Sequence, residues 1–499
     1  MHEIPSLSFS YFPMNLDLLY MIPLYFGNDI APKLIHFTFA LLTAWLVFGF
    51  LRSRTNTSYA LLGVAFFLSI PIIVKLSITA YVDLGLLSFS TASLLLLIKW
   101  RENRFQIRYL VFSAIFCGLA MGTKYNGLIT FFLLSLFILF LSGRVNRGEP
   151  HGIMKTIVYG CVFLTVAGII FSPWMIRDYV WTGNPIYPLY DQWFNPDHVA
   201  RKSIGLFTYR ALVYHESWGE MLLLPIRIFF QGQDGNPQFF DGKLNPFLLV
   251  FSVLAFYQLR KDSEKIKTEK KILLAFSALY FAFAFFSSGL RIRYIAPIIP
   301  PLVILTVFGM KRLFDSLDEI RSIPFKKGME LVAACLVLLA ISLNARYVYG
   351  QFGYVKPLTY LFGNISRDGY IEKYRPEFPA MKYINGHLPL DAKILFVFIG
   401  NRGYYCDRKY VFDMQGNRSR IARLLKSAHS ARAVWEGLKR DGITHVLINM
   451  GLFAKWASQS FRASDLTQMK SFFNEHMHLL YHKNGYGVFV LAGKRLSEP

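Results

Sequence analysis

Acidic side chains are scarce in this chain: 31 Asp and Glu stand against 54 Lys and Arg in 499 residues, for a formal net charge of +23. Charge of either sign is sparse too, at 17% of residues against 54% hydrophobic, which excludes an ordinary soluble enzyme. Cysteine is limited to Cys117, Cys161 and Cys335 inside apolar runs and an isolated Cys406. There is no CxxC pair and no metal-ligand spacing, and nothing marks a redox compartment. Residues 1–30 contain no Lys or Arg and no basic segment leading to a small-residue cleavage site, which argues against a signal peptide. No solenoid repeat or low-complexity segment occurs.

What the chain has instead is a series of apolar runs bounded by Lys and Arg. The pattern predicts a mostly α polytopic membrane protein with about nine to ten transmembrane helices. The excess positive charge then reflects topology, not nucleic-acid binding. Residues 1–30 read as an interfacial segment outside the cytoplasm. Crossings are expected at 31–51, 59–74, 84–98, 154–174, 246–259, 272–286, 294–310 and 330–343. The apolar stretch 109–141 would be ~50 Å long as one helix, against a ~30 Å hydrocarbon core, so it should divide at Gly122-Thr-Lys-Tyr-Asn-Gly127. Lys and Arg crowd alternate turns (Arg52 and Arg54; Lys99 to Arg108; Arg144, Arg147 and Lys155; Arg260 to Lys271; Lys311 to Lys327, with Arg321 among them). The other short turns hold only Lys75, Lys124, Arg291 and Arg293, which places them outside the cytoplasm. A transmembrane module over 31–346, with a long outer loop at about 177–245, is thus expected to precede an extracytoplasmic α/β domain over 347–499. In that domain 394–399, 446–449 and 488–491 read as strands and 418–440 as a broken amphipathic helix. Gly400-Asn-Arg-Gly403 lacks phosphate-loop spacing and reads as an ordinary turn, and the sequons at Asn364 and Asn417 carry no weight in a bacterial envelope.

The candidate site residues are the polar groups that interrupt the outer ends of these runs. Asp83 opens the run 84–98, and a carboxylate facing lipid there would cost at least ~2.5 kcal/mol. It should therefore face a polar cavity or serve its helix N-terminus. Lys124, Arg177, Arg291 and Arg293 fall on the same side, either as snorkelling or interfacial anchors or as an anion clamp. One acid with several bases suits a site that binds a lipid phosphate and takes a proton from a hydroxyl.

The order of segments resembles the C-type glycosyltransferases, and within them the bacterial family 39-like enzymes that use polyprenyl-phosphate sugars. Tyr81-Val-Asp83-Leu-Gly is similar to their second acidic motif, and Gly118-Leu-Ala-Met-Gly-Thr-Lys124 to their Gly-Leu-Ala/Lys turn. Pro173-Trp-Met-Ile-Arg177 with Gly183-Asn-Pro resembles the entry into the long outer loop, with Asp178 where Asn is usual. Arg293-Tyr-Ile-Ala-Pro297 resembles an Arg-Tyr-x-x-Pro motif opening a late crossing. The resemblance covers roughly residues 10–310 and implies a catalytic role for Asp83 and donor-phosphate binding by Lys124, Arg177 and Arg293.

The family's first transmembrane helix and first acidic loop motif have no counterpart here. Residues 1–30 are expected to be a remnant of that loop, with Glu3 and Asp17 the nearest acids, and activity impaired if the chain truly starts at Met1. The implied partners are a polyprenyl-phosphate-linked sugar, an envelope lipid, glycan or protein acceptor, and membrane lipid, with no nucleic acid. A bacterial inner membrane is the implied location. No metal ligands stand out, and whether a divalent cation takes part is open. A surface-polysaccharide polymerase or ligase and a lipid-linked saccharide flippase are the alternatives; the flippase would call for midplane ionisable residues and internal repeats.

Overall fold

The structure, a computed structural model, describes residues 8–145, 152–196, 204–285, 290–320, 322–413, 419–427 and 430–492. Glu3, Arg147, Arg321 and Asn417, and the side chain of Arg144, lie outside the described residues. The chain divides into two compact units, Met1–Tyr354 and Val355–Pro499.

The first unit is a helical assembly. A short 3₁₀ turn, Ser8–Tyr11, leads to α1 (Asn15–Tyr25), α2 (Ala31–Arg52), α3 (Thr57–Ser69), α4 (Pro71–Ser77), α5 (Asp83–Glu102), α6 (Ile107–Thr123), α7 (Gly127–Val145) and α8 (Gly152–Thr182). Short helices α9 (Asp191–Phe194), α10 (Leu206–Tyr214), α11 (Trp218–Leu222) and α12 (Leu224–Phe230) build the following loop. Next come α13 (Phe247–Leu254), α14 (Glu264–Phe285), a 3₁₀ segment Ile292–Ile298 that runs into α15 (Ile299–Leu317), and α16 (Ile323–Val355).

Five helical segments are long and apolar enough to cross a membrane: Ala31–Arg52, Asp83–Glu102, Gly152–Thr182, Ile292–Leu317 and Ile323–Val355. Thr57–Ser69 with Pro71–Ser77 makes a sixth if the bent pair is one span, and Ile107–Thr123 is a shorter apolar helix. The expected nine to ten spans are therefore not all met by length and composition. The crossing expected at 246–259 forms helix only over Phe247–Leu254, too short to span at 1.5 Å per residue. The run at 59–74 is broken because Ile70 precedes a proline, which disfavours the α conformation, and the two halves meet at 64°.

Burial orders these helices. The membrane-compatible windows of Ile292–Leu317 and Asp83–Glu102 are 89% and 83% buried, whereas that of α16 is 22% buried, so the first two form the centre and α16 the rim. Buried polar side chains join the central helices: Ser90 meets Thr130 at 3.0 Å, and Ser93 and Ser113 each donate to the other's carbonyl. Gly309 lets α15 approach α13 so closely that an added Cβ would lie 1.9 Å from the Phe251 carbonyl oxygen. At the Lys/Arg-rich end, several cations meet acids: Arg54 bridges Glu102 and Glu269, and Lys270 and Arg312 share Asp262.

The second unit continues through α17 (Pro357–Leu361), α18 (Arg367–Tyr374) and α19 (Phe378–His387) to β1 (Lys393–Val397), β2 (Lys409–Phe412), α20 (Arg420–Ser427) and α21 (Ala431–Arg440). It ends with β3 (His445–Asn449), α22 (Met450–Ser460), α23 (Ala463–His476), β4 (Met477–Lys483) and β5 (Tyr486–Leu491). The sheet order is β2-β1-β3-β5-β4, with β1 parallel to β2 and β3, and β5 antiparallel to β3 and β4. Strands β1, β3 and β5 are buried apolar runs; β2 and β4 are edge strands carrying Lys409, His478, His482 and Lys483, which hide their strand pattern in the sequence. Gly400 turns the chain after β1 at φ +65°, as expected of a plain turn.

Candidate active site around Asp83

Asp83 is the first residue of α5 and is 2% exposed. It does not cap the helix; Val82 occupies the N-cap position and no side-chain cap bond forms. Its partner is Lys124, whose Nζ lies 2.6 Å from Asp83 Oδ1. Lys124 is held there by the turn between α6 and α7, which is tight because Gly127 packs onto the Ala120 backbone; an added Cβ would come within 2.5 Å of it. The Lys124 ammonium also faces the Tyr294 ring at 4.8 Å.

Arg293 completes this group. Its guanidinium stands over the rings of Tyr81 at 4.9 Å and Tyr294 at 5.2 Å, and it lies within electrostatic reach of Asp83. Its Nε is buried without a hydrogen-bond partner, and no carboxylate among the described residues pairs with it. The other cations expected at this end are matched: Lys75 contacts Asp234 at 3.1 Å and Asp241 at 3.0 Å, and Arg291 contacts Asp241 at 3.4 Å. Burial alone would raise the Asp241 carboxyl, but the bond and charge of Lys75, the Gly235 N–H and the Arg291 charge together outweigh it and hold the group below its usual range.

Arg177 is placed differently. Near the end of α8, it contacts Asp178 Oδ1 at 2.6 Å and donates to the Tyr11 and Phe12 carbonyls at 2.5 and 3.2 Å, while stacking on Trp174 and Trp181. Its Nη1 is buried without a hydrogen-bond partner. No contact joins it to Asp83, Lys124 or Arg293 among the described residues. The link is indirect: Tyr125, next to Lys124, donates to Asp178 at 2.9 Å and to the Tyr187 carbonyl at 2.7 Å.

Three positioning residues escaped the sequence reading. His36 of α2 is fully buried; its Nε2 accepts from the Leu84 N–H at 2.9 Å and its Nδ1 reaches the Leu76 and Thr79 carbonyls, fixing the start of α5. Tyr20 of α1 donates to the Tyr81 carbonyl at 2.5 Å. Asn15 donates to the Leu119 carbonyl and accepts from Trp174 Nε1, against the surface left by Gly122. Each sits in an apolar run and reads there as ordinary core. Asp17, on the same helix as Tyr20, is exposed. Among the described residues no group of three or more His, Cys, Asp or Glu could hold a metal ion.

The family model for dolichyl-phosphate-mannose-protein mannosyltransferases matches residues 22–176. The ArnT of Cupriavidus metallidurans bound to undecaprenyl phosphate shares this architecture at a TM-score of 0.52 and 14% identity, over 94% of this chain and 85% of its own. Its apo state matches at 0.51 and 14%, over 92% and 83%. The apo oligosaccharyltransferase of Archaeoglobus fulgidus matches at 0.51 and 14%, over 98% of this chain and 67% of its own. At these identities the likeness is one of fold. No curated protein sequence matches the chain. The resemblance to C-type membrane glycosyltransferases read from the motifs is found again in the family model and in the fold, and the matched segment includes Asp83 and Lys124.

Proposed function

We propose that the chain is an integral membrane glycosyltransferase that moves a sugar from a polyprenyl-phosphate donor to a hydroxyl of an envelope lipid, glycan or protein, outside the cytoplasm of a bacterium. The observation that carries this reading is the buried Asp83–Lys124 pair beside Arg293, a guanidinium with no carboxylate partner among the described residues. With the five long apolar segments, the bent α3–α4 pair and the helices at 107–123, 127–145 and 264–285 support a reading of about nine crossings.

In the reaction the acceptor oxygen attacks the anomeric carbon, the bond from that carbon to the phosphate oxygen breaks, and polyprenyl phosphate leaves with the bond's electron pair. Arg293 and Lys124 stabilise the charge that develops on the phosphate. As Lys124 turns towards phosphate, Asp83 loses its internal partner and becomes available to orient the acceptor and receive its proton. Arg177 fixes the neighbouring wall through Asp178 and the Tyr11 and Phe12 carbonyls, and its buried, unpartnered Nη1 is the remaining donor for phosphate.

The test is transfer of radiolabelled sugar from a polyprenyl-phosphate donor to envelope acceptors in membranes containing the chain. Asp83→Asn should abolish transfer per unit of protein recovered in the membrane. Transfer at the wild-type rate would reject the assignment.

A further inference from the structure

A polar cavity of about 510 Å³ lies beside Pro71 at the α3–α4 break, and none of Asp83, Lys124 and Arg293 lines it. Lys243, Arg346, Tyr347, Asn344, Phe230 and Leu343 are among its lining residues. Its floor is tied down. Asn245 donates to the Ala340 carbonyl at 2.7 Å and to Asn344 Oδ1 at 2.8 Å, and Asn344 in turn donates to Ser69 Oγ at 3.0 Å. These buried amides pin α16 to the α3–α4 break, whereas most of that helix is loosely covered.

The charges around the cavity do not cancel. Asp234 also lines it, but that carboxylate is taken up by Lys75 at 3.1 Å and by the Tyr347 hydroxyl at 2.7 Å. Asp241 is taken up by Lys75 and Arg291. Lys243 and Arg346 are left with no carboxylate partner among the described residues, and both are exposed. Directly below them along α16 the wall becomes apolar and uncovered, with Leu343 39% and Leu339 49% exposed. Two cations unmatched among the described residues, above an exposed apolar helix face, select an amphiphile with an anionic head.

We propose that this cavity binds the phosphate of an anionic lipid headgroup between Lys243 and Arg346, with the acyl chains along α16. The site is independent of the transfer reaction and of the Asp83 group.

The experiment uses the purified full chain in detergent, read by native mass spectrometry with dioleoylphosphatidylglycerol, dioleoylphosphatidylcholine or inorganic phosphate added. Wild type should hold phosphatidylglycerol in preference to phosphatidylcholine. Lys243→Gln/Arg346→Gln should weaken it at least about tenfold, and Lys243→Arg/Arg346→Lys should restore it, which separates lost charge from misfolding. Arg293→Gln should leave this binding unchanged. Equal retention of both lipids, no effect of the double Gln variant, or loss in Arg293→Gln would overturn the proposal. Displacement of the lipid by excess inorganic phosphate would overturn the lipid assignment.

Discussion

Replacing Lys124 with Met leaves the Asp83 carboxylate, 2% exposed, without its one ion-pair partner among the described residues. At the observed 2.6 Å and an effective dielectric of ~20, the attraction in the pair is about 6 kcal/mol. Desolvating each ion costs several kcal/mol, so the intact pair contributes little net stability, while removing one member costs about 3–5 kcal/mol. Lys124→Met and Asp83→Asn should therefore each lower the resistance of the detergent-solubilised protein to thermal unfolding. The double variant should recover most of that loss, because it buries no unpaired charge. Sugar transfer should behave otherwise and be absent in all three. Stability is read by light scattering or intrinsic fluorescence on heating, and activity by the transfer assay. A double variant that regains both stability and transfer would show that the pair only holds the helices together, and the catalytic reasoning would fail.

Glu216 gives a second case, in the loop after α8. It meets Arg210 at 2.6 Å and Arg227 at 3.1 Å, so Glu216→Ala, which strands two buried guanidinium groups, should cost about 3–5 kcal/mol in thermal or denaturant stability. Burial pushes the Glu216 carboxyl up, but the bonds to the two arginines outweigh it and hold the group below its usual 4.5. Its contribution is therefore full above pH 4.5 and falls away as pH drops through the lower folded value, a loss that Glu216→Gln should not show. Gly309→Ala should cost about 1–3 kcal/mol by forcing α15 off the Phe251 carbonyl, seen as reduced membrane abundance and faster heat inactivation. Tyr20→Phe should cost about 1 kcal/mol and speed amide exchange over 78–82, since it removes the hydroxyl that holds the Tyr81 carbonyl.

The central helices were legible because charge is rare in them and dense at their ends: Asp83 and Lys99 with Arg101 bracket α5, and Gly122 to Gly127 separates α6 from α7. The run at 246–259 misled because hydropathy measures burial in apolar surroundings, not length of helix. Here α13 ends at Leu254 and packs short against α15 through Gly309. Ser69-Ile-Pro71 carried the signal for the α3–α4 break, but an apolar run on both sides masked it. Asp83 and Lys124 stood out as isolated charges, and the structure brings them into contact. Their supports did not stand out. His36, Tyr20 and Tyr125 act through backbone carbonyls or an acid far away in sequence, and no local pattern encodes that pairing. Arg177 looked equivalent to Arg293 by position, yet the adjacent Asp178 and the carbonyls of Tyr11 and Phe12 give it a different set of partners.

The most direct measurement is the affinity of the purified chain for undecaprenyl phosphate, taken on wild type, Arg293→Gln and Lys124→Met. If the cations beside Asp83 hold a lipid phosphate, each substitution weakens binding by roughly tenfold or more, and neutral polyprenol binds no variant better than wild type. Wild-type affinity in both variants would contradict the account, because the phosphate would then be held by other residues.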